Sequence, residues 1–360
     1  MSEIEGESEL KFFRPEILRM DGYQSGEQPQ GGKIIKLNTN ENPYPCSSAV
    51  LQAIRSVDGA TLQKYPDATA AAFRAAAAPV LGVDPDWIMC ANGSDEILTI
   101  VTRGFVDPGR AVRWPYPTYV LYSVLTDIQG GISQPVDFRD DWKLSDTFYE
   151  NPESVGLVFL ANPNSPSGTR LAPEEILKVV ERFDCPVLID EAYADFSGTS
   201  CVELVARNER ILVSRTLSKS HGLAGLRFGY LVAQPQIIEQ LVKIKDSYNC
   251  DALSIAGATA AIADSVWLQD NVDKVVTTRQ KMVKELESLG FDVVPSSANF
   301  VWCQHREKSN LEIYQALKSN LLLVRYMDFG AWGDGIRISV GTDAQLDALV
   351  TILVAIMRTL

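Results

Sequence analysis

Lys219 stands in the run Ser214-Arg215-Thr216-Leu217-Ser218-Lys219-Ser220-His221-Gly222, directly after the apolar triplet Ile211-Leu212-Val213. An amine set among small residues at the end of a buried run can hold an aldehyde as a Schiff base. Arg227, eight residues on, can reach a phosphate. Upstream, Asp190 closes the apolar run Val187-Leu188-Ile189 and opens Asp190-Glu191-Ala192-Tyr193. Burial raises the pKa of such a carboxylate unless a cation partners it, and a protonated pyridine nitrogen is such a cation. Tyr193 can then donate to an oxygen on the same ring. Aldehyde, phosphate and pyridine together describe pyridoxal phosphate, an electron sink as long as its ring nitrogen stays charged. Each residue alone has a plainer reading, the lysine as a solvated surface group and the aspartate as a helix cap. Their combination favours the cofactor.

Two further segments fit the same molecule. Asn92-Gly93-Ser94-Asp95-Glu96 follows the apolar run Trp87-Ile88-Met89-Cys90 and opens the helical pattern Glu96-Ile97-Leu98-Thr99-Ile100. Free backbone N–H groups at such a helix start bind anions, with Gly93 permitting close approach, and Ser94 or Asp95 can serve as N-cap. Tyr119, in Pro117-Thr118-Tyr119-Val120-Leu121-Tyr122, can lay its ring on a flat cofactor or simply sit half-buried in the core.

The elements that must position these residues follow from their spacing. Leu157-Val158-Phe159-Leu160 runs into Asn162-Pro163-Asn164-Ser165-Pro166-Ser167-Gly168, and the runs ending at Asp190 and before Ser214 have the same form. Runs without alternation suit strands buried on both faces, and the intervening stretch Pro173 to Phe183 reads as a crossover helix. The class is α/β, and in such open sheets the ligand lies outside the carboxyl ends of the strands. Each polar cluster follows the end of a run, so the clusters converge. From about residue 265 the texture changes to a long helical pattern (Trp267 to Leu289), two apolar runs around Asn299-Phe300-Val301-Trp302 and Gly335-Ile336-Arg337-Ile338-Ser339-Val340, and an amphipathic end with Leu346, Leu349, Leu353 and Ile356 on one stripe. That is the content of a smaller α+β domain. The expected division is an N-terminal arm over 1–45, a large cofactor-binding domain over 46–265 and a small domain over 266–360.

Composition narrows the class. With 360 residues, 46% hydrophobic, the chain can bury a large core. A net charge of −13 argues against nucleic acid, which calls for a basic face. Six cysteines without CxxC spacing, several inside apolar runs, fit a reducing compartment. Two histidines are too few for a histidine-rich metal site, so no metal is expected. The acidic start Met1-Ser2-Glu3-Ile4-Glu5-Gly6-Glu7 has no signal-peptide pattern, and the apolar stretch Ala348 to Met357 is shorter than the about 20 residues a membrane span needs. The expected location is cytoplasmic. Neither GxxxxGK[ST] nor GxGxxG after a strand is present, which disfavours a nucleotide-binding α/β protein.

Together these motifs resemble the fold-type I pyridoxal phosphate-dependent aminotransferases, with their order matched along nearly the whole chain. A closer likeness is to the histidinol-phosphate aminotransferase branch. It rests on Tyr23-Gln24-Ser25, Leu37-Asn38-Thr39-Asn40-Glu41-Asn42-Pro43, Lys64-Tyr65-Pro66-Asp67, Asp190-Glu191-Ala192-Tyr193, Arg215-Thr216-Leu217-Ser218-Lys219, Leu223-Ala224-Gly225-Leu226-Arg227 and Arg337-Ile338-Ser339-Val340-Gly341-Thr342. The resemblance implies a large domain with a mainly parallel seven-stranded sheet flanked by helices, plus the smaller α+β domain. It implies that Lys219 holds the cofactor aldehyde and then moves the substrate proton, that Asp190 pairs with the ring nitrogen, that Tyr193 bonds O3′ and that Tyr119 stacks on the ring. It assigns the cofactor phosphate to the Gly93-Ser94-Asp95 backbone, Ser218, Thr216 and Arg227, and Tyr65 to the neighbouring subunit's cofactor in a homodimer. Tyr23, Asn40, Arg325 and Arg337 would receive the substrate, the arginines gripping a phosphate or a carboxylate.

One departure stands out. Where the branch often has Asn-Asn-Pro-Thr-Gly this chain has Asn164-Ser165-Pro166-Ser167-Gly168, so either Asn164 or Ser165 is left for O3′. The implied reaction moves the amino group of L-histidinol phosphate to 2-oxoglutarate, giving imidazole acetol phosphate and glutamate in histidine biosynthesis. A threonine-phosphate-decarboxylase-like lyase, an aromatic aminotransferase and a catalytically silent binding protein are the alternatives. His221 reads as structural.

Overall fold

Runs free of alternation become strands buried on both faces. In the computed structural model, which describes residues 12–22, 26–29 and 34–360, the short β1 (Ile35–Lys36) precedes seven strands of one sheet. These are β2 (Ile88–Ala91), β3 (Ala111–Tyr116), β4 (Ile132–Asp137), β5 (Val155–Ala161), β6 (Val187–Asp190), β7 (Ile211–Thr216) and β8 (Gly229–Val232). Their order is β2-β8-β7-β6-β5-β3-β4. Every ladder from β4 to β7 is parallel, and β8 alone runs antiparallel to both its neighbours. The expected mainly parallel seven-stranded sheet is present.

The central strands show why the runs lack alternation. All of β2 and β6 is buried, as is β5 up to Leu160. Helices Ala71–Leu81, Pro173–Arg182 and Ala252–Ala263 cover one face, around Phe73, Ile176 and Ala258. Helices Ser94–Phe105 and Leu121–Gln129 cover the other, around Leu98, Val101 and Leu125. Each fully buried side chain of this size contributes about 1.5–3 kcal/mol.

Strand direction assembles the site. Parallel strands β3, β5, β6 and β7 end on one edge of the sheet. β2 is antiparallel to β8, which is antiparallel to β7, so β2 ends on that edge too. β8 begins there, with Gly229 opposite both Ala91 and Thr216, so Arg227 is delivered to the same edge from the opposite direction.

The remaining strands are β9 (Phe291–Val294), β10 (Phe300–His305), β11 (Leu322–Leu323), β12 (Arg325–Asp328) and β13 (Asp334–Ser339). An antiparallel sheet of order β12-β13-β10-β9 packs on helices Ser265–Ser288, Asn310–Ser319 and Asp343–Thr359 through Val275, Met282, Ile313 and Leu353. The long helix starts at Asp264, whose carboxylate caps the Trp267 N–H, and the last helix starts at a Thr342–Gln345 capping box. β1 pairs in parallel with β11, and Leu37 exchanges backbone bonds with Leu323 and Ser339. That pairing carries Asn38, Thr39 and Asn40 to the mouth of the large sheet. No helix among the described residues is long and apolar enough to cross a membrane, and the six cysteines are free.

Candidate active site

Asp190 sits at the last position of β6, 5% exposed, and no cation among the described residues pairs with its carboxylate. Three donors face it instead: the Tyr122 hydroxyl to Oδ2 at 3.0 Å, the Ser214 hydroxyl to Oδ1 at 3.3 Å and the Ala192 N–H to Oδ1 at 3.2 Å. Burial outweighs these bonds and pushes the Asp190 carboxyl up to about 6. Tyr122, wholly buried and stacked on Phe159, has its own phenol pushed well above the usual range by that burial, so it stays a donor. Nothing in the spacing of Tyr122 separates it from a core aromatic. Only its bond to Asp190 does.

Lys219 lies beyond β7 on the same edge. Its Nζ is 3.5 Å from the Thr39 carbonyl and 5.6 Å from the centre of the Tyr193 ring. Asn42 holds the lysine backbone, donating from Nδ2 to the carbonyls of Lys219 at 2.9 Å and Ser220 at 3.0 Å. Behind the lysine, Arg215 bridges Glu191 and Asp195, and Ser220 donates to Asp195. His221 packs into this buried cluster through Ser220 at 3.0 Å, with its pKa pushed down to about 4 by burial. It does not line the cavity above Lys219, in keeping with a structural role.

The turn after β2 differs in detail from the expected capping. Gly93, at φ +86°, is itself the N-cap of Ser94–Phe105, and Ser94 and Asp95 form the first helical turn. The Glu96 carboxylate folds back onto the Asn92 N–H. A Cβ on Gly93 would lie 2.7 Å from Nη2 of Arg227, and one on Gly229 would lie 2.6 Å from the Ser94 nitrogen. The close approach leaves the helix start bare against the Arg227 guanidinium, which donates to Asp95 Oδ2 at 3.3 Å. Beside it, Thr216 donates to the Ser218 hydroxyl at 3.0 Å. These groups together could hold a phosphate. Tyr119 lines the same cavity as Asp190, its hydroxyl donating to Asp95 Oδ1 at 3.2 Å. An uncompensated buried carboxylate, a bare helix start with an arginine, and a lysine between them fit pyridoxal phosphate.

The small sheet closes the cavity from above. Asn40, buried and at φ +54°, donates from Nδ2 to the Tyr193 hydroxyl at 3.0 Å and is locked to Ser339 through its N–H and Oδ1. Arg325 and Arg337 are directly opposite partners on β12 and β13, and both line the cavity. Like charges facing each other across strands destabilise a sheet unless an anion lies between them. Arg337 donates to the Ser165 hydroxyl at 2.9 Å and the Asn38 carbonyl at 3.2 Å, while Arg325 makes no hydrogen bond or ion pair among the described residues.

Some expected residues lie elsewhere. The Asn164 carboxamide accepts from Thr118 at 2.6 Å and donates to Pro117 and Ser167, and it does not line the cavity, whereas Ser165 does. Tyr65 is 81% exposed and stacked on Tyr248 at 4.5 Å, away from its own chain's cavity. Tyr23 lies outside the described residues.

The chain matches the family Aminotransferase class I and II over residues 32–353. It is 54% identical to histidinol-phosphate aminotransferase of Rhodopirellula baltica, covering 97% of this chain and 96% of that one. Histidinol-phosphate aminotransferase 1 of Trichormus variabilis is 41% identical, with coverage of 96% and 99%. Among solved structures, histidinol-phosphate aminotransferase from Sinorhizobium meliloti in complex with pyridoxal-5'-phosphate superposes with a TM-score of 0.88 at 26% identity, covering 98% of this chain and 99% of that chain.

Proposed function

From the fact that the chain belongs to the class I and II aminotransferase family, we propose that it transfers the amino group of L-histidinol phosphate to 2-oxoglutarate, a step of histidine biosynthesis. The cofactor is pyridoxal phosphate. The observation that carries the choice of substrate is the pair of arginines facing each other above Lys219. Two cations side by side suit a phosphate dianion on the donor and a carboxylate on the acceptor.

When bound, pyridoxal phosphate supplies an aldehyde that condenses with amines and a ring that accepts the electron pair left when a proton leaves Cα. The chain's residues do the rest. Asp190 pairs with the ring nitrogen and is thereby supplied with the cation its burial lacks. The Ser94 and Asp95 backbone, Gly93, Thr216, Ser218 and Arg227 hold the phosphate. Tyr193 donates to O3′, itself oriented by Asn40, and Tyr119 covers the ring. The Lys219 amine would take the proton from Cα of the donor and return it to the carbon that had been the cofactor's aldehyde carbon, acting as general base and then acid. Arg325 and Arg337 would hold the phosphate of histidinol phosphate, or the carboxylate of the keto acid, and so keep the donor's Cα–H within reach of the Lys219 amine.

The arm (1–45), cofactor-binding (46–265) and small (266–360) divisions describe how these groups are delivered. Tyr65, exposed and turned away from its own site, reaches the cofactor phosphate of a second copy, so the working unit is a homodimer. Tyr23, outside the described residues, is assigned to the substrate by the resemblance alone. Six unpaired thiols suit a cytoplasmic enzyme. Product analysis tests the reaction: imidazole acetol phosphate and glutamate in equal amounts from histidinol phosphate and 2-oxoglutarate support it, and carbon dioxide release from L-threonine phosphate without amino transfer would replace it by the lyase.

A further inference from the structure

The hairpin that carries Arg325 and Arg337 ends, at its far turn, in aromatic contacts that the reaction as derived does not use. β12 and β13 are joined through Gly330–Trp332, with the Phe329 N–H on the Gly333 carbonyl at 3.0 Å. At this turn the Trp332 indole packs on Trp142, ring centres 4.9 Å apart at 42°, and Trp142 packs on Phe138 at 5.7 Å. Beside this contact Phe329 meets the edge of Tyr116 at 5.9 Å. Tyr116 ends β3 and Phe138 follows β4, so both partners stand on the rim of the seven-stranded sheet. Two aromatic bridges therefore connect the turn of one sheet to the edge of the other.

A second observation comes from the backbone. Trp142 has φ +60°, in the left-handed region that a bulky side chain rarely adopts. Its loop is folded to hold it there: Phe138 and Leu144 form an isolated bridge, the Trp142 N–H donates to the Arg139 carbonyl at 2.8 Å and the Arg139 N–H to the Lys143 carbonyl at 2.9 Å. Conformations of this kind persist where the surroundings over-determine them, and they gather at ligand clamps. Here the strained residue presents its indole to the hairpin turn. From Phe329 back to Arg325 is four residues of strand, roughly 13 Å at the usual rise, so a tilt at the turn becomes a displacement of the guanidiniums.

We propose that Trp142 and Trp332 are positioning residues, a clasp that fixes the height of Arg325 and Arg337 above Lys219 and so sets the enzyme's grip on the substrate anion. The clasp rests on the reading of those arginines as the anion-binding pair. Loss of either indole leaves the cofactor's own contacts untouched but frees the hairpin, and small misplacements of a binding group are costly.

The test uses the cofactor-loaded enzyme with Trp142→Ala, Trp332→Ala, the double variant, Trp142→Phe, and Arg325→Ala with Arg337→Ala as controls. KM for histidinol phosphate and the inhibition constant of inorganic phosphate are measured together with the cofactor dissociation constant. The expected result is a rise of about tenfold in both substrate-side constants for each Ala variant, no further rise in the double variant, an unchanged cofactor constant and substantial rescue by Phe. Substrate-side constants equal to the parent's in Trp142→Ala and Trp332→Ala, with the arginine variants impaired, would overturn the clasp alone. Substrate and cofactor constants deteriorating in step would also overturn it, reducing the indoles to general support. Arginine variants that bind histidinol phosphate and phosphate as the parent does would instead sink the anion-pair reading beneath it.

Discussion

Asp190 concentrates the residue-scale physics, because it is buried among donors and carries a pKa of about 6 without a cation beside it. Its folded pKa is raised above the unfolded value of 3.8. The stability linked to its protonation is therefore fully present below about pH 4 and lost as the pH rises through about 6, a difference of roughly 3 kcal/mol. Asp190→Asn should stabilise the cofactor-free protein at pH 8 by an amount of that order while crippling the loaded enzyme. Thermal unfolding of both cofactor-free proteins across pH 3.5–8 checks it: the gap should close on the acid side, and a constant gap would mean that the Asp190 pKa is not raised in the folded protein. Lys219 and Asp190 could be singled out in the sequence because they occur together, each following a buried apolar run, where either alone has a plainer reading. Tyr122 could not, since a tyrosine in the first turn of a helix looks the same whether its hydroxyl meets a carboxylate or water. Asn164 illustrates the reverse limit: its type suits a cofactor contact, but its carboxamide is taken up by Thr118, Pro117 and Ser167, which only the folded loop brings near.

Elements explain why the charged groups converge. The Gly93 turn needs φ +86° and leaves no room for a side chain against Arg227. Gly93→Ala should cost about 1–3 kcal/mol, most of it as weaker cofactor binding, because the strain falls on the phosphate cradle. Equilibrium dialysis of the cofactor checks it, and a variant with the parent's affinity would remove this turn from the phosphate site. At the opposite wall, the β12–β13 register sets two guanidiniums face to face. Arg337→Ala should raise KM for histidinol phosphate on the order of a hundredfold with little change in cofactor affinity; equal loss of both would move that arginine out of the substrate site. Strand periodicity announced β5, β6 and β7, since their burial on both faces writes apolar runs into the sequence. The pairing of β12 with β13 left no such mark, and neither did the parallel join of β1 to β11 that carries Asn40 to Tyr193.

For the whole molecule, the doubly covered sheet and the separate antiparallel sheet match the architecture the spacing and resemblance implied. The exposed Tyr65, stacked on Tyr248 at the surface, has a place in the account only if a second copy stands against it. Mixed dimers provide the check. Tyr65→Ala and Lys219→Ala are each expected to be strongly impaired, yet a dimer of one with the other contains one site with both residues intact. Activity restored on mixing supports the shared site, and no restoration in dimers shown to have exchanged would assign Tyr65 elsewhere. Cofactor, lysine and substrate meet in one reaction, and one titration tests them together. L-histidinol phosphate is added to the cofactor-loaded protein without keto acid, and the visible absorption is followed. Loss of the cofactor's aldehyde-form band, its return on adding 2-oxoglutarate, and the absence of any such band in Lys219→Ala are the results expected. A band that responds to phenylalanine or threonine phosphate but not to histidinol phosphate would contradict the substrate, and the parent's spectrum persisting in Lys219→Ala would contradict the site itself.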